Sequence, residues 1–183
     1  MQTSLQKYQR RKYFRLEKTM PVYYVELTDE DYTTILETHR FPERLKSLDM
    51  FCEGTSLDVS GGGMRFVGKV PVDNGKVVLL MFDIMDGNKV KKIRLPANVI
   101  LAFKPAGRAG IYEHRVEFVN ITREYREILI RYIFEEERKK RRLVEKEKKK
   151  QIKEEKRKQR LAEKEKKKQI KEEKRKQRLA EKE

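Results

Sequence analysis

The chain has no tryptophan, one cysteine and two histidines among its 183 residues. Each scarcity removes a class of function. A lone cysteine, Cys52, excludes an intramolecular disulfide, and together with His39 and His114 it assembles neither a metal-ligand set nor a nucleophilic triad. No run approaches the roughly 18–20 apolar residues that a membrane-spanning helix needs, and the N-terminus lacks the apolar stretch of a secretory signal. These absences lead us to expect a cytoplasmic protein without a transmembrane segment. Glu135, Glu136 and Glu137 read as a solvated helix face rather than a general acid–base pair, so no enzyme is expected.

What the chain has in excess is charge: 42% of its residues are Asp, Glu, Lys or Arg, and the net charge is +16. The surplus is uneven. Residues 135–183 carry 24 Lys and Arg against 13 Glu, a net of +11, which leaves +5 for residues 1–134. Apolar material is sparse in the same C-terminal third, so the foldable domain is smaller than the chain.

Residues 1–15 are polar and basic and read as a flexible basic arm. Six β-rich runs follow, Met20 to Leu27, Phe51 to Asp58, Gly63 to Val67, Lys76 to Phe82, Lys91 to Phe103 and Gly110 to Val119. Turn signals such as Gly61-Gly62, Asp73-Asn74-Gly75 and Asp86-Gly87-Asn88 separate them, the pattern of a small antiparallel barrel or sandwich. Between Thr28 and Met50 two readings stay open. Thr28 with Asp31 forms a potential capping box, whereas Tyr32 to Leu36 has strand propensity. From Asn120 the period becomes helical: Asn120 or Thr122 can cap a helix whose Tyr125, Ile128, Leu129, Tyr132 and Ile133 form an apolar stripe. The expected division is therefore an arm (1–15), a mainly β domain with a packed C-terminal helix (16–134) and a charged helical extension (135–183).

Within the extension, KEKKKQIKEEKRKQRLAE occurs twice in full, at 146–163 and 164–181. Eighteen residues are five turns at 3.6 residues per turn, so equivalent side chains return to the same angle. Ile152, Leu161, Ile170 and Leu179 recur every nine residues, which places successive ones on opposite sides and gives no heptad seam. Glu145 with Lys149, Glu154 with Lys158, Glu163 with Lys167 and Glu172 with Lys176 stand at i,i+4. The sequence predicts a long charged single α-helix, roughly 90 Å if continuous from about residue 122 at about 1.5 Å per residue.

Two short patterns carry the chemistry. Arg11-Lys12-Tyr13-Phe14-Arg15 supplies two arginines four apart, and Asp58-Val59-Ser60-Gly61-Gly62-Gly63 supplies a carboxylate, a hydroxyl and bare backbone. Arginine pairs bidentately with the guanine O6 and N7 acceptors, stacks on the purine and binds phosphate. Asp58 suits the guanine N1 and N2 donors, Ser60 a base or phosphate, and Gly63 a close approach of backbone amides. The glycine run fits neither a dinucleotide fingerprint nor a P-loop, since no Gly-Lys-Ser/Thr follows and strands flank it.

The two patterns in this order, in a short β-rich domain closed by a helix, resemble the PilZ domain family, whose signature is Arg-x-x-x-Arg followed by Asp/Asn-x-Ser-x-x-Gly. The segments QRRKYFR (9–15), DVSGGGMRF (58–66) and RVEFVNI (115–121) look like that family's blocks, over about residues 9–134. The resemblance implies a six-stranded antiparallel barrel with a C-terminal helix, in a bacterial cytoplasm. It also implies a receptor for the second messenger cyclic di-GMP, with contacts at Arg11, Arg15, Asp58, Ser60 and Gly63, and an arm that folds over its ligand. Arg10 is a further candidate for a phosphate or stacking contact, of the kind that favours an intercalated ligand dimer. The roughly forty residues from Arg15 to Asp58 are long for the family, so 28–50 should carry an extra element. A downstream protein partner is implied, with motility and exopolysaccharide machinery as family-level options. The alternative function is an adaptor that binds nucleic acid or an anionic surface weakly, through the basic helical tail and counterion release.

Overall fold

The structure is a computed structural model and describes residues 13–180, with the side chains of residues 162, 165, 166 and those after 167 left out of the description. A three-residue strand, β1 (Arg15–Glu17), precedes six longer ones: β2 (Pro21–Glu26), β3 (Cys52–Ser60), β4 (Gly63–Gly68), β5 (Val77–Asp86), β6 (Lys89–Phe103) and β7 (Tyr112–Phe118). All neighbours are antiparallel, in the order β3-β2-β5-β6-β7-β4, and β4 returns to pair with β3. The six strands thus close into a barrel, which leaves no open edge between β3 and β4.

Period-2 alternation decides what lies inside. On β7, His114, Val116 and Phe118 are buried while Arg115 and Glu117 face water. Val22, Tyr24, Val59, Met64, Phe66, Phe82, Ile93 and Val99 fill the interior from the other strands. Tyr24 ties this core together: its hydroxyl donates to the Val70 carbonyl at 2.8 Å and accepts from the Val70 N–H at 3.0 Å. A Cβ on Gly68 would stand 2.3 Å from that hydroxyl, so a bare backbone at position 68 is a condition for the ring to sit there.

Strand β3 departs from alternation at one point. Ser56 pairs with Phe66 and Asp58 with Arg65, which leaves Leu57 as an extra residue in a β-bulge. Before the bulge β3 pairs with β2, at Cys52–Thr55; after it β3 pairs with β1, at Asp58–Ser60. The corner between β1 and β2 is fastened at the bulge. The Ser56 hydroxyl donates to the Lys18 carbonyl and accepts from the Met20 N–H at 3.0 Å, and Lys18 N–H reaches the Leu57 carbonyl at 3.3 Å.

The segment with two open readings is helical. In α1 (Asp29–Thr38) the Thr28 hydroxyl accepts from the Asp31 N–H and the Asp31 carboxylate accepts from the Thr28 N–H, a complete capping box. The cap and the burial of Ile35 outweigh the strand propensity of the Tyr32–Leu36 run. Two 3₁₀ turns follow, Glu43–Leu45 and Leu48–Met50. Together these elements build a second small core, Leu27, Ile35, Leu45 and Leu79, on the outside of β2 and β5. This is the extra element that the long spacing calls for.

Helix α2 (Arg123–Ala180) starts at Thr122, whose hydroxyl accepts from the Tyr125 N–H at 3.2 Å; Asn120, the other candidate cap, instead takes a left-handed backbone at φ 52°. Ile128, Leu129, Tyr132 and Ile133 are buried in the barrel's core cluster, each contributing about 1.5–3 kcal/mol by burial. The chain divides into two compact units, the first ending at Glu137 and the second beginning at Arg138. In the second unit the described side chains are exposed, Ile152 and Leu161 included, and Glu145–Lys149, Glu154–Lys158 and Glu163–Lys167 form i,i+4 ion pairs. The pair Glu172–Lys176 lies outside the described side chains. Among the described residues no helix is long and apolar enough to cross a membrane.

His114 is fully buried, stacked on Phe66 with ring centroids 4.8 Å apart, and its Nε2 accepts from the Val72 N–H at 3.3 Å. Burial lowers its pKa below the usual imidazole range. A group whose folded pKa is depressed binds fewer protons folded than unfolded, so its contribution is fully present above the unfolded pKa near 6.5 and is lost as pH falls below it. The melting temperature should therefore decline from pH 7 to pH 5, by at most about 1.4 kcal/mol of stability per pH unit. His114→Gln, which keeps an acceptor but cannot protonate, should flatten that decline; an equal slope in both proteins would assign it elsewhere.

Candidate ligand-binding site

The β1–β3–β4–β7 register lays two rows of residues side by side on the outer face of the barrel. In the first, Arg15 stands opposite Ser60, Ser60 opposite Gly63 and Gly63 opposite Glu117. In the second, Glu17 stands opposite Asp58, Asp58 opposite Arg65 and Arg65 opposite Arg115. Their neighbours along the strands, Leu16, Val59, Met64 and Val116, point into the core. Of the sequence-selected residues, Arg15, Asp58, Ser60 and Gly63 are therefore adjacent on one face, although over forty positions separate the first two. Arg10 and Arg11 lie outside the described residues. Arg15 is exposed; it is the last residue of the expected arm and is held by backbone pairing as the first residue of β1.

The face is electrostatically built. Asp58 is buried, and its Oδ2 accepts from Arg65 Nε at 2.8 Å. The same guanidinium approaches Glu113 Oε1 at 3.5 Å, Arg115 Nε reaches that oxygen at 3.4 Å, and the Arg115 guanidinium lies 5.5 Å over the Phe103 ring. Two carboxylates and two guanidinium groups alternate across β3, β4 and β7, so each acid has a cationic partner. Arg65, Glu113 and Arg115 belong to neither sequence pattern. Alternation from Gly63 places Arg65 on the same outer face, which is the signal that marks it.

Ser60 and Gly63 also serve the scaffold. The Ser60 hydroxyl donates to the Gly63 carbonyl at 3.0 Å and accepts from the Gly62 N–H at 3.4 Å, closing the β3–β4 turn. A Cβ on Gly63 would stand 2.2 Å from the Val116 carbonyl oxygen, so this glycine sets the contact between β4 and β7. The end of the arm rests on the first turns of α2: Tyr13 lies beneath the Arg126 guanidinium at 5.8 Å, and Phe14 stacks on Phe134 at 6.5 Å. With Gly61, Ile130 and Ile133 these rings line a hollow of about 300 Å³. Among the described residues no group of three or more His, Cys, Asp or Glu side chains could hold a metal ion.

A closed antiparallel barrel, packed by a helix and carrying a mixed-charge face, is the architecture on which these residues stand. Residues 9–135 match the PilZ domain, and the chain belongs to the PilZ domain family. No curated protein sequence matches it. Among solved structures, the fold is similar to the Bacillus subtilis inhibitor of motility MotI/DgrA, with 17% identity and a TM-score of 0.55, over 73% of this chain and 54% of that one. It is also similar to Escherichia coli YcgR in complex with c-di-GMP, with 20% identity and a TM-score of 0.50, over 75% of this chain and 50% of that one. The chain thus spans about half the length of each of these neighbours, and at such identities the likeness is one of fold.

Because Gly63 meets backbone on β7, Gly63→Ala should destabilise the domain by at least about 2 kcal/mol without any ligand present. Urea denaturation checks this; a variant as stable as the wild type would make the glycine purely a ligand-facing residue.

Proposed function

We propose that the chain is a cytoplasmic receptor for cyclic di-GMP, and that it is not an enzyme. The observation that carries this reading is the register that sets Arg15, Ser60 and Gly63 in one row and Asp58 in the next, on the outer face of a PilZ domain. In this reading Arg15, with Arg11 and Arg10 from the arm, binds the guanine acceptor edge and the phosphates. Asp58 accepts from guanine N1 and N2, and the turn closed by Ser60 presents backbone to the ligand.

The output follows from where the arm rests. Tyr13 and Phe14 sit between Arg11 and Arg15 in sequence and pack on Arg126 and Phe134 of α2. A ligand that draws both arginines toward Asp58 and Ser60 shifts the two rings and alters the surface offered to a protein partner. The adaptor reading has in its favour the exposure of the second unit's described side chains. Three of its glutamates, however, pair with neighbouring lysines at i,i+4, and it ranks second.

Isothermal titration of the full chain with cyclic di-GMP tests the receptor reading. Micromolar or tighter binding is expected, on the order of 8 kcal/mol, and Arg11→Ala combined with Arg15→Ala should abolish it. No heat from the wild-type chain, or undiminished binding by the double variant, would overturn the reading.

A further inference from the structure

Of the residues on the outer face, Arg65 makes the most demanding contacts. Its guanidinium spans two carboxylates from different strands, Asp58 on β3 at 2.8 Å and Glu113 on β7 at 3.5 Å. Both acids are nearly shut off from solvent, with side chains 9% and 13% exposed, whereas Arg65 itself is 33% exposed. A planar fork held at two points has little rotational freedom, and it passes that restriction to the carboxylate it grips. Glu113 is in turn held by Arg115, which lies over Phe103. The bond to Asp58 uses one position on Oδ2. A carboxylate offers about four acceptor positions, so acceptor positions remain on both oxygens in the plane that Arg65 holds.

We propose that Arg65 is a positioning residue for base selection: by fixing the plane of the Asp58 carboxylate it makes that group read the paired N1 and N2 donors of guanine rather than attract any purine. The inference rests on the receptor reading above. A freely rotating carboxylate would accept from whichever donor the base offers, and discrimination against a base with only the N1 donor would fall. A carboxylate held in one plane gains most from a base that supplies both donors and loses most when one is missing. Glu113 and Arg115 act one and two steps further back, by holding Arg65.

The test compares cyclic di-GMP with cyclic di-IMP, whose hypoxanthine bases lack the N2 amine, by titrating the full chain and its Arg65→Gln and Arg65→Lys variants. The wild type should prefer cyclic di-GMP by tenfold or more. Arg65→Gln should lose affinity chiefly for cyclic di-GMP, bringing the ratio toward one, and Arg65→Lys should keep part of the preference. A change in the ratio is a readout that a loss of stability alone does not produce, since both nucleotides bind the same folded population. If Arg65→Gln does not melt cooperatively, Glu113→Gln is read in its place: a lowered ratio supports the proposal and an unchanged ratio overturns it. A folded Arg65→Gln with the wild-type ratio overturns it while leaving the receptor reading intact. A wild-type chain that binds neither nucleotide overturns both.

Discussion

The outer face of this barrel depends on a single extra residue, Leu57, and on the hydroxyl beside it. Strand β3 must pair with β2 at its start and with β1 at its end, and it changes partner at the bulge. Were Ser56-Leu57-Asp58 to run as a regular strand, two-residue alternation would put Asp58 on the same side as Ser56, inside the barrel, where an ionised carboxylate would stand in the apolar core. The insertion turns Asp58 and Ser60 outward while Ser56 stays inside, where its hydroxyl holds the corner at Lys18 and Met20. One local irregularity therefore closes the barrel's corner, seats β1 and aims the acid of the candidate site.

A consequence is that scaffold and site share the same atoms. Ser60 closes the turn, Gly63 admits the Val116 carbonyl, and Asp58 anchors Arg65, so each residue of the second sequence pattern has a structural duty before any ligand arrives. On the receptor reading, such sharing pre-organises the surface and lowers the ordering cost of binding. The arm is held differently. Arg15 is paired by backbone on β1, but Tyr13 and Phe14 rest on α2 through ring contacts that are broad and individually weak. On the receptor reading, the barrel face is the fixed side of the site and the arm the side that responds to ligand.

Much of this is legible in the sequence, for identifiable reasons. The six barrel strands are rich in β-branched and aromatic residues and are bounded by Gly and Asn turns, so their positions follow closely from composition. The apolar stripe Ile128, Leu129, Tyr132 and Ile133 marks the packed part of α2 equally well. The bulge is not legible, because Ser56-Leu57-Asp58 alternates as an ordinary strand would and only the pairing to β1 and β4 shows the extra residue. Strand β1 is hidden for the same reason: three residues have no period, and Arg15–Glu17 is a strand only because β3 offers an edge there. Segment 28–50 is ambiguous because its cap and its β-branched residues argue for different structures, and burial of Ile35 against Leu79 decides between them. Arg65 is one of the 46 Lys and Arg residues of the chain, and only its alternation with Gly63 along β4 sets it apart from the rest.

That last point bears on how selectivity arises in so basic a protein. A net charge of +16 draws any anion toward the surface and lends little preference for one nucleotide over another, and salt screens most of that attraction. Added arginines strengthen binding to phosphate in general, because every nucleotide carries phosphate. An acid among them has the opposite effect: Asp58 reduces the attraction for phosphate, and on the receptor reading a base compensates with hydrogen-bond donors. On the receptor reading, recognition of guanine must then be sought in the buried carboxylate and the guanidinium that holds it, and the exposed arginines supply strength and capture. The alternation Asp58, Arg65, Glu113, Arg115 leaves this part of the face near neutrality, so the acid is held as an acceptor of defined direction.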